Sequence, residues 1–258
     1  MKNNILIGLG LSVLLAVGVA CGGKSDEDED MQSMGPAAAA KKAVDASTAG
    51  SVSGKIDFKG AAPKMNKIDM AADALCASLH SETVRDMSVV INANNTLKNV
   101  IVYVKKGYEG YTAPALTQSP MVDQHGCMYN PHILIMSPGT LQIRSSDNTL
   151  HNVHAEPKIN QPFNRAQPAP GMIETKLMKT EIVPVKCDVH PWMRAYIGVF
   201  DVPATVTGDD GSFKLDMLPP GTYEIEAWHE KFGTQSMTVT VESGKSAPAN
   251  FTFSAPGA

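Results

Sequence analysis

Hydrophobic and polar positions divide the chain into an apolar start, a polar stretch and a long region whose period is two. Residues 5–20 are apolar, follow Lys2, and fall short of the roughly 20 residues a bilayer span needs, which predicts an export signal that is removed. Residues 22–50 carry an acidic run at 26–30, Gly35-Pro36 and an alanine stretch, and predict a flexible linker. From Ser51 the pattern changes: Val52, Gly54, Ile56 and Phe58 alternate with Ser53, Lys55 and Asp57, as in a half-buried strand. An Asp cap, several alanines, and Leu75 and Leu79 one turn apart predict a helix over 69–80. Strand-like runs follow at 89–91, 100–104, 133–136, 141–143, 182–185 and 196–200, separated by breakers such as Asn94-Asn95, Pro138-Gly139 and Asp147-Asn148. Residues 156–171 hold Pro157, Pro162, Pro168 and Pro170 without a period, and predict a stiff surface loop. Beyond Ala204, alternation at Phe213 and Leu215, at Tyr223, Ile225 and Ala227, at Met237, Val239 and Val241, and at Phe251 and Phe253 predicts an antiparallel meander.

Composition fits this β-rich reading. Seventeen prolines and twenty-one glycines accompany 19% charged residues, and a net charge of -4 excludes a strongly basic nucleic-acid binder. Residues 17–21, Val-Gly-Val-Ala-Cys, resemble a bacterial lipoprotein signal, which implies acylation at Cys21 and an anchor on the periplasmic or cell-surface side of a membrane. In an oxidising compartment the four cysteines need assigning. With Cys21 lipidated and Cys187 reserved for metal, Cys76 and Cys127 remain, either as a disulfide or as two separate buried thiols.

The chemistry concentrates in Cys187-Asp188-Val189-His190-Pro191-Trp192-Met193, a Cys-x2-His-x2-Met run between two strand-like segments. Composition alone gives about 0.006 such runs, so chance is a poor explanation. Thiolate, imidazole and thioether together suit copper, since soft sulfur holds Cu(I), nitrogen tolerates Cu(II) and a weak Met ligand permits a trigonal site. A fourth ligand must come from elsewhere, and His151 or His154 offers it. Trp192 suits either partner docking or core packing. His80, His125, His132 and His229 are isolated imidazoles better read as structural or solvent-facing.

His151-Asn152 together with Cys187, His190 and Met193 resembles the cupredoxins, in the short-loop form found in amicyanin. The resemblance covers about 120–202 and implies one copper ion cycling between Cu(I) and Cu(II), with His151 rather than His154 as ligand. It also implies Asn152 as the residue tying the ligand loops together, and His190, flanked by Pro191 and Trp192, as an electron port facing a docked partner. Asp188 departs from the small hydroxyl residue common there. The patterns Thr207-Gly208-Asp209-Asp210-Gly211-Ser212-Phe213 and Leu218-Pro219-Pro220-Gly221-Thr222-Tyr223 resemble the carboxypeptidase regulatory, transthyretin-like module, and Ser53-Gly54-Lys55-Ile56 resembles its first strand.

The expected fold is therefore all-β, a cupredoxin Greek-key sandwich plus a second, small transthyretin-like sandwich. Its expected divisions are a signal at 1–21, a linker at 22–50, the copper domain with an N-terminal β extension at 51–202, and the second sandwich at 203–258, with the copper domain inserted in the second sandwich or sharing its strands. The expected function is single-electron transfer at the cell envelope to a redox partner protein (a cytochrome, dehydrogenase or oxidase). A filled ligand set leaves no open position for catalysis, so an enzyme is not expected. The alternatives are copper storage or delivery on the same ligands, or a metal-independent envelope or carbohydrate-binding module.

Overall fold

The computed structural model describes residues 40–116 and 118–255. The expected export signal, the expected acylation site Cys21 and the expected linker up to residue 39 lie outside them. In chain order the elements are β1 (Gly50–Lys59), α1 (Ala74–Ser78), β2 (Ile101–Lys106), β3 (Met121–His125), β4 (Met128–Asn130), β5 (Ile133–Met136), β6 (Gly139–Ser145), β7 (His151–Ala155) and β8 (Phe163–Gln167). They continue with β9 (Gly171–Leu177), β10 (Glu181–Lys186), β11 (Arg194–Val199), β12 (Ala204–Val206), β13 (Ser212–Leu218), β14 (Gly221–His229), β15 (Gly233–Val241), β16 (Ser246–Pro248) and β17 (Phe251–Ser254).

Strands β3 to β11 pair among themselves, in a five-stranded sheet ordered β5-β11-β10-β7-β8 and a four-stranded sheet ordered β4-β3-β6-β9. Val122, Leu141, Ile143, Val153, Val183 and Ile197 fill the core they share. A second core, with Val52, Ile56, Phe213, Leu215, Phe251 and Phe253, belongs to two further sheets. In one of these β1 pairs with β13, β16 and β17; in the other the order is β12-β2-β14-β15. Each sheet thus takes one strand from before β3 and the rest from after β11. The division expected after residue 202 placed β1 and β2 with the copper domain, whereas their backbone partners are β12, β13, β14, β16 and β17. A one-sided strand such as β1 must bury its apolar face somewhere, and Phe213 and Phe251 offer a matching face.

Gly54 shows how tightly this joint is built. β1 follows β16 as far as Ser53 and β17 from Ile56, and the backbone of Ala249 crosses between. A Cβ at Gly54 would lie 1.5 Å from the Ala249 carbonyl oxygen, so only glycine fits.

Several sequence expectations are corrected. The C-terminal strands form no simple meander: β14 and β15 make a hairpin, but β13 pairs with β1 in the opposite sheet. Pro219 and Pro220 at the β13–β14 link have no N–H to donate, and the chain changes sheet there instead of folding back. The helix expected over 69–80 shrinks to Ala74–Ser78. One apolar contact supports so short a helix poorly, and α1 instead relies on the Asp73 cap and on Cys76, its one buried residue. The loop expected over 156–171 contains β8, an edge strand on β7 whose ends fall beside Pro162 and Pro168. The run at 89–91 contributes only a single bridge, Ile91 to Leu97. The linker expected to reach residue 50 ends sooner. Lys42 N donates to Gly110 O at 2.7 Å, Val44 packs against the β1 core, and Asp45 holds a turn through Ser47.

Candidate metal centre

β10 ends at Lys186 and β11 starts at Arg194, so residues 187–193 form the loop between two paired strands. The loop is closed on itself: Cys187 N donates to Met193 O at 3.1 Å, and Met193 N donates to His190 O at 2.9 Å. β7 lies on the other side of β10, with His154 opposite Lys186, which carries His151 to the mouth of this loop. All four expected ligands are buried, with exposures of 0% for His151, 2% for Cys187, 2% for His190 and 0% for Met193.

The donor atoms converge. His151 Nδ1 and His190 Nδ1 lie 3.0 Å apart, and Cys187 Sγ lies 3.9 Å from His190 Nδ1. Metal–nitrogen bonds of about 2.0 Å and metal–sulfur bonds of about 2.3 Å span both separations, and His151, Cys187 and His190 each offer a ligand atom within 4.8 Å of the others. Burial in the inner core pushes the His151 imidazole below its ordinary range, which disfavours filling the space between the rings with a proton. The arrangement therefore fits a soft, positively charged ion.

Both remaining ring nitrogens are held by carboxylates, a feature not anticipated from sequence. His151 Nε2–H donates to Asp147 Oδ2 at 3.0 Å, and His190 Nε2–H donates to Asp73 Oδ2 at 3.2 Å. These bonds fix the tautomers and leave the Nδ1 lone pairs for a metal. Asp147 also accepts from Gly126 N at 2.8 Å and Cys127 N at 2.7 Å. Both of those residues have positive φ in the β3–β4 turn, a conformation a non-glycine such as Cys127 adopts only when held. Asp73 uses its other oxygen to cap α1 at Leu75 N and Cys76 N. That capping, then the His190 contact, holds the Asp73 carboxyl below its ordinary range. Cys76 and Cys127 form a disulfide, Cα to Cα 5.5 Å, that ties α1 to the β3–β4 turn, the two segments whose amides the carboxylates accept from.

Asn152 stands where the ligand loops meet. Its Oδ1 accepts from Asp188 N at 2.7 Å and from Cys187 Sγ at 3.3 Å, while its Nδ2 donates to Asn164 and Asp188. Tyr129 OH secures the strand by donating to Asn152 O at 2.6 Å. The Asp188 carboxylate receives His154 Nδ1 and Asn164 Nδ2. His154, then Asn164, keep that carboxyl below its ordinary range. The unusual Asp188 is thus a surface clasp between the loop, β7 and β8, and His154 is its partner.

Other expected residues separate from the site. His80 Nε2–H donates to Gly126 O at 2.7 Å, His125 is exposed, and His132 bridges Glu230 and Arg194 O. His229 stacks on Phe232. An imidazole edge open to a docked partner was expected at His190. It is covered instead, by Asp73 and by Cys76 Sγ at 3.6 Å from its Nε2. Trp192 touches His190, ring centroids 5.1 Å apart, and donates from Nε1 to Cys127 O at 3.0 Å. Half-buried itself, it lines a cleft of about 410 Å³ with the exposed Pro191, Met128, Arg194 and Tyr196.

Residues 195–254 match the family model of the carboxypeptidase regulatory-like domain. β1 and β2 lie outside that match, although they complete its sheets. Among solved structures, a proline-to-glycine variant of amicyanin in its reduced Cu(I) form at pH 4 is similar, at 18% identity over 33% of this chain and 84% of that one, TM-score 0.30. A purple cupredoxin from Nitrosopumilus maritimus is similar at 17% identity over 32% of this chain and 100% of that one, TM-score 0.28. A copper-containing nitrite reductase from Thermus scotoductus is similar at 17% identity over 38% of this chain, TM-score 0.30, and only 25% of its own length is covered. Comparison with curated proteins finds no match. Apart from the short α1, the described residues are all-β, and the 195–254 segment is similar to the carboxypeptidase regulatory-like domain.

Proposed function

We propose that this chain is a one-copper electron carrier, its ion held by His151, Cys187, His190 and Met193. The observation that carries the reading is the convergence of His151 Nδ1, His190 Nδ1 and Cys187 Sγ on one buried point. Copper bound there supplies exchange of single electrons between Cu(I) and Cu(II). The chain's own residues supply rigidity: Asn152 joins the ligand loops, and Asp147 and Asp73 fix both imidazoles, so little has to move when charge changes.

Electrons pass through Trp192 rather than through a bare imidazole edge. The indole contacts His190 on one side and the Pro191–Arg194 cleft on the other. A redox partner protein of the cytochrome, dehydrogenase or oxidase class docks over Pro191 and Trp192, in an interface of under about 1,200 Å². The Cys76–Cys127 disulfide supports an oxidising, extracytoplasmic location, and acylation at Cys21 would tether the protein to a membrane there. Burial of every ligand favours electron transfer over copper storage or delivery, which needs easy exchange.

Redox titration of the copper-loaded protein tests the proposal. Reversible uptake of one electron per chain, with the ion retained against a Cu(I) chelator in both states, is expected. Loss of copper on each reduction would favour delivery instead.

A further inference from the structure

Each proposed ligand imidazole donates its outer N–H to a carboxylate, and each carboxylate is itself anchored by two backbone amides. Asp147 Oδ1 and Oδ2 accept from Gly126 N and Cys127 N, and Oδ2 also accepts from His151 Nε2. Asp73 Oδ1 accepts from Leu75 N and Cys76 N, while Oδ2 accepts from His190 Nε2 and from Thr149 Oγ1 at 3.3 Å. The Asp147 side chain is 2% exposed and that of Asp73 25%. These are fixed negative charges one imidazole away from the metal position. With the Cys187 thiolate they place three anionic groups around a single ion.

Such an environment does not treat the two copper states alike. A carboxylate accepting from Nε2–H makes Nδ1 a stronger donor, and its charge attracts a doubly charged ion more than a singly charged one. Both effects favour Cu(II).

Resting on the copper reading above, we propose that Asp147 and Asp73 are positioning residues that bias the centre toward Cu(II), making it a low-potential donor of electrons. Cu(I) gives up one electron, Cu(II) remains on the same ligands, and the electron passes to an acceptor protein of higher potential. The disulfide serves this bias, because Cys76 and Cys127 lie in the two turns whose amides hold the carboxylates.

The test compares reduction potentials of the copper-loaded full chain, measured by following the thiolate-to-copper absorption, in the native protein, Asp73→Asn and Asp147→Asn. Asparagine caps a helix as well as aspartate, so Asp73→Asn keeps α1 while removing the charge and the acceptor for His190 Nε2–H, and it decides the matter even if Asp147→Asn folds poorly. Removing an outer partner of a ligand histidine typically changes affinity about tenfold or more. The Cu(II)-over-Cu(I) preference is therefore expected to fall about tenfold in Asp73→Asn, a rise of about 59 mV for one electron, with the absorption band retained. A band retained with an unchanged potential overturns the inference and leaves the copper reading standing. Absence of the band from the native protein overturns both.

Discussion

His151 Nδ1 and His190 Nδ1 face each other at 3.0 Å, and both rings have committed their Nε2 protons to carboxylates. Two lone pairs held this close repel unless a cation lies between them. Copper loading is therefore expected to stabilise the fold, by about 2.7 kcal/mol at a hundredfold excess over the dissociation constant. Calorimetry should show the unfolding temperature rising with added copper, and His151→Ala should abolish the rise.

His229 carries a different dependence. Burial against Phe232, with His132 and Lys231 adding lesser unfavourable charge, lowers its pKa to about 4. Its Nδ1 accepts from Lys231 N at 3.1 Å, which requires the neutral ring. Between about pH 6.5 and pH 4 the unfolded chain binds this proton and the folded chain does not, so stability falls as pH falls through that window. The loss reaches up to about 3 kcal/mol. Denaturant midpoints of copper-loaded protein at pH 7 and pH 4.5 should differ by less in His229→Phe than in the native chain.

Gly54→Ala tests the seam where β1 passes from β16 to β17. Its Cβ would overlap the Ala249 carbonyl, and overpacking of this kind costs about 3 kcal/mol or more. The Cys187 loop rests on the other core, so the substitution should lower the unfolding midpoint while the copper spectrum below that midpoint stays native.

Strands with one apolar face were legible in the sequence. Val52, Ile56 and Phe58 in β1, and Tyr223, Ile225 and Ala227 in β14, alternate as they should and are buried as expected. The strands beside the Cys187–His190 cluster were not. β7 reads His-Asn-Val-His-Ala and β3 buries Asp123 and Gln124, because these positions spend their inward side chains on hydrogen bonds rather than on apolar packing. The proposed ligands and Asn152 could be singled out because their spacing is local or their neighbours are distinctive. Asp73 could not, since it meets His190 only through the tertiary fold, from 117 residues away in sequence, and Asp147, though only four residues before His151, reads in the sequence as a turn breaker. For the same reason the sequence placed His190 at the surface, since nothing in its loop reveals that a distant one-turn helix lies over it.

The central claim is that Cys187 and its neighbours form one copper site, and the visible absorption spectrum of the Cu(II)-loaded chain tests it most directly. The account predicts an intense thiolate-to-copper band that disappears in Cys187→Ser while the fold remains. A native protein that binds no copper, or binds it without that band, would contradict it.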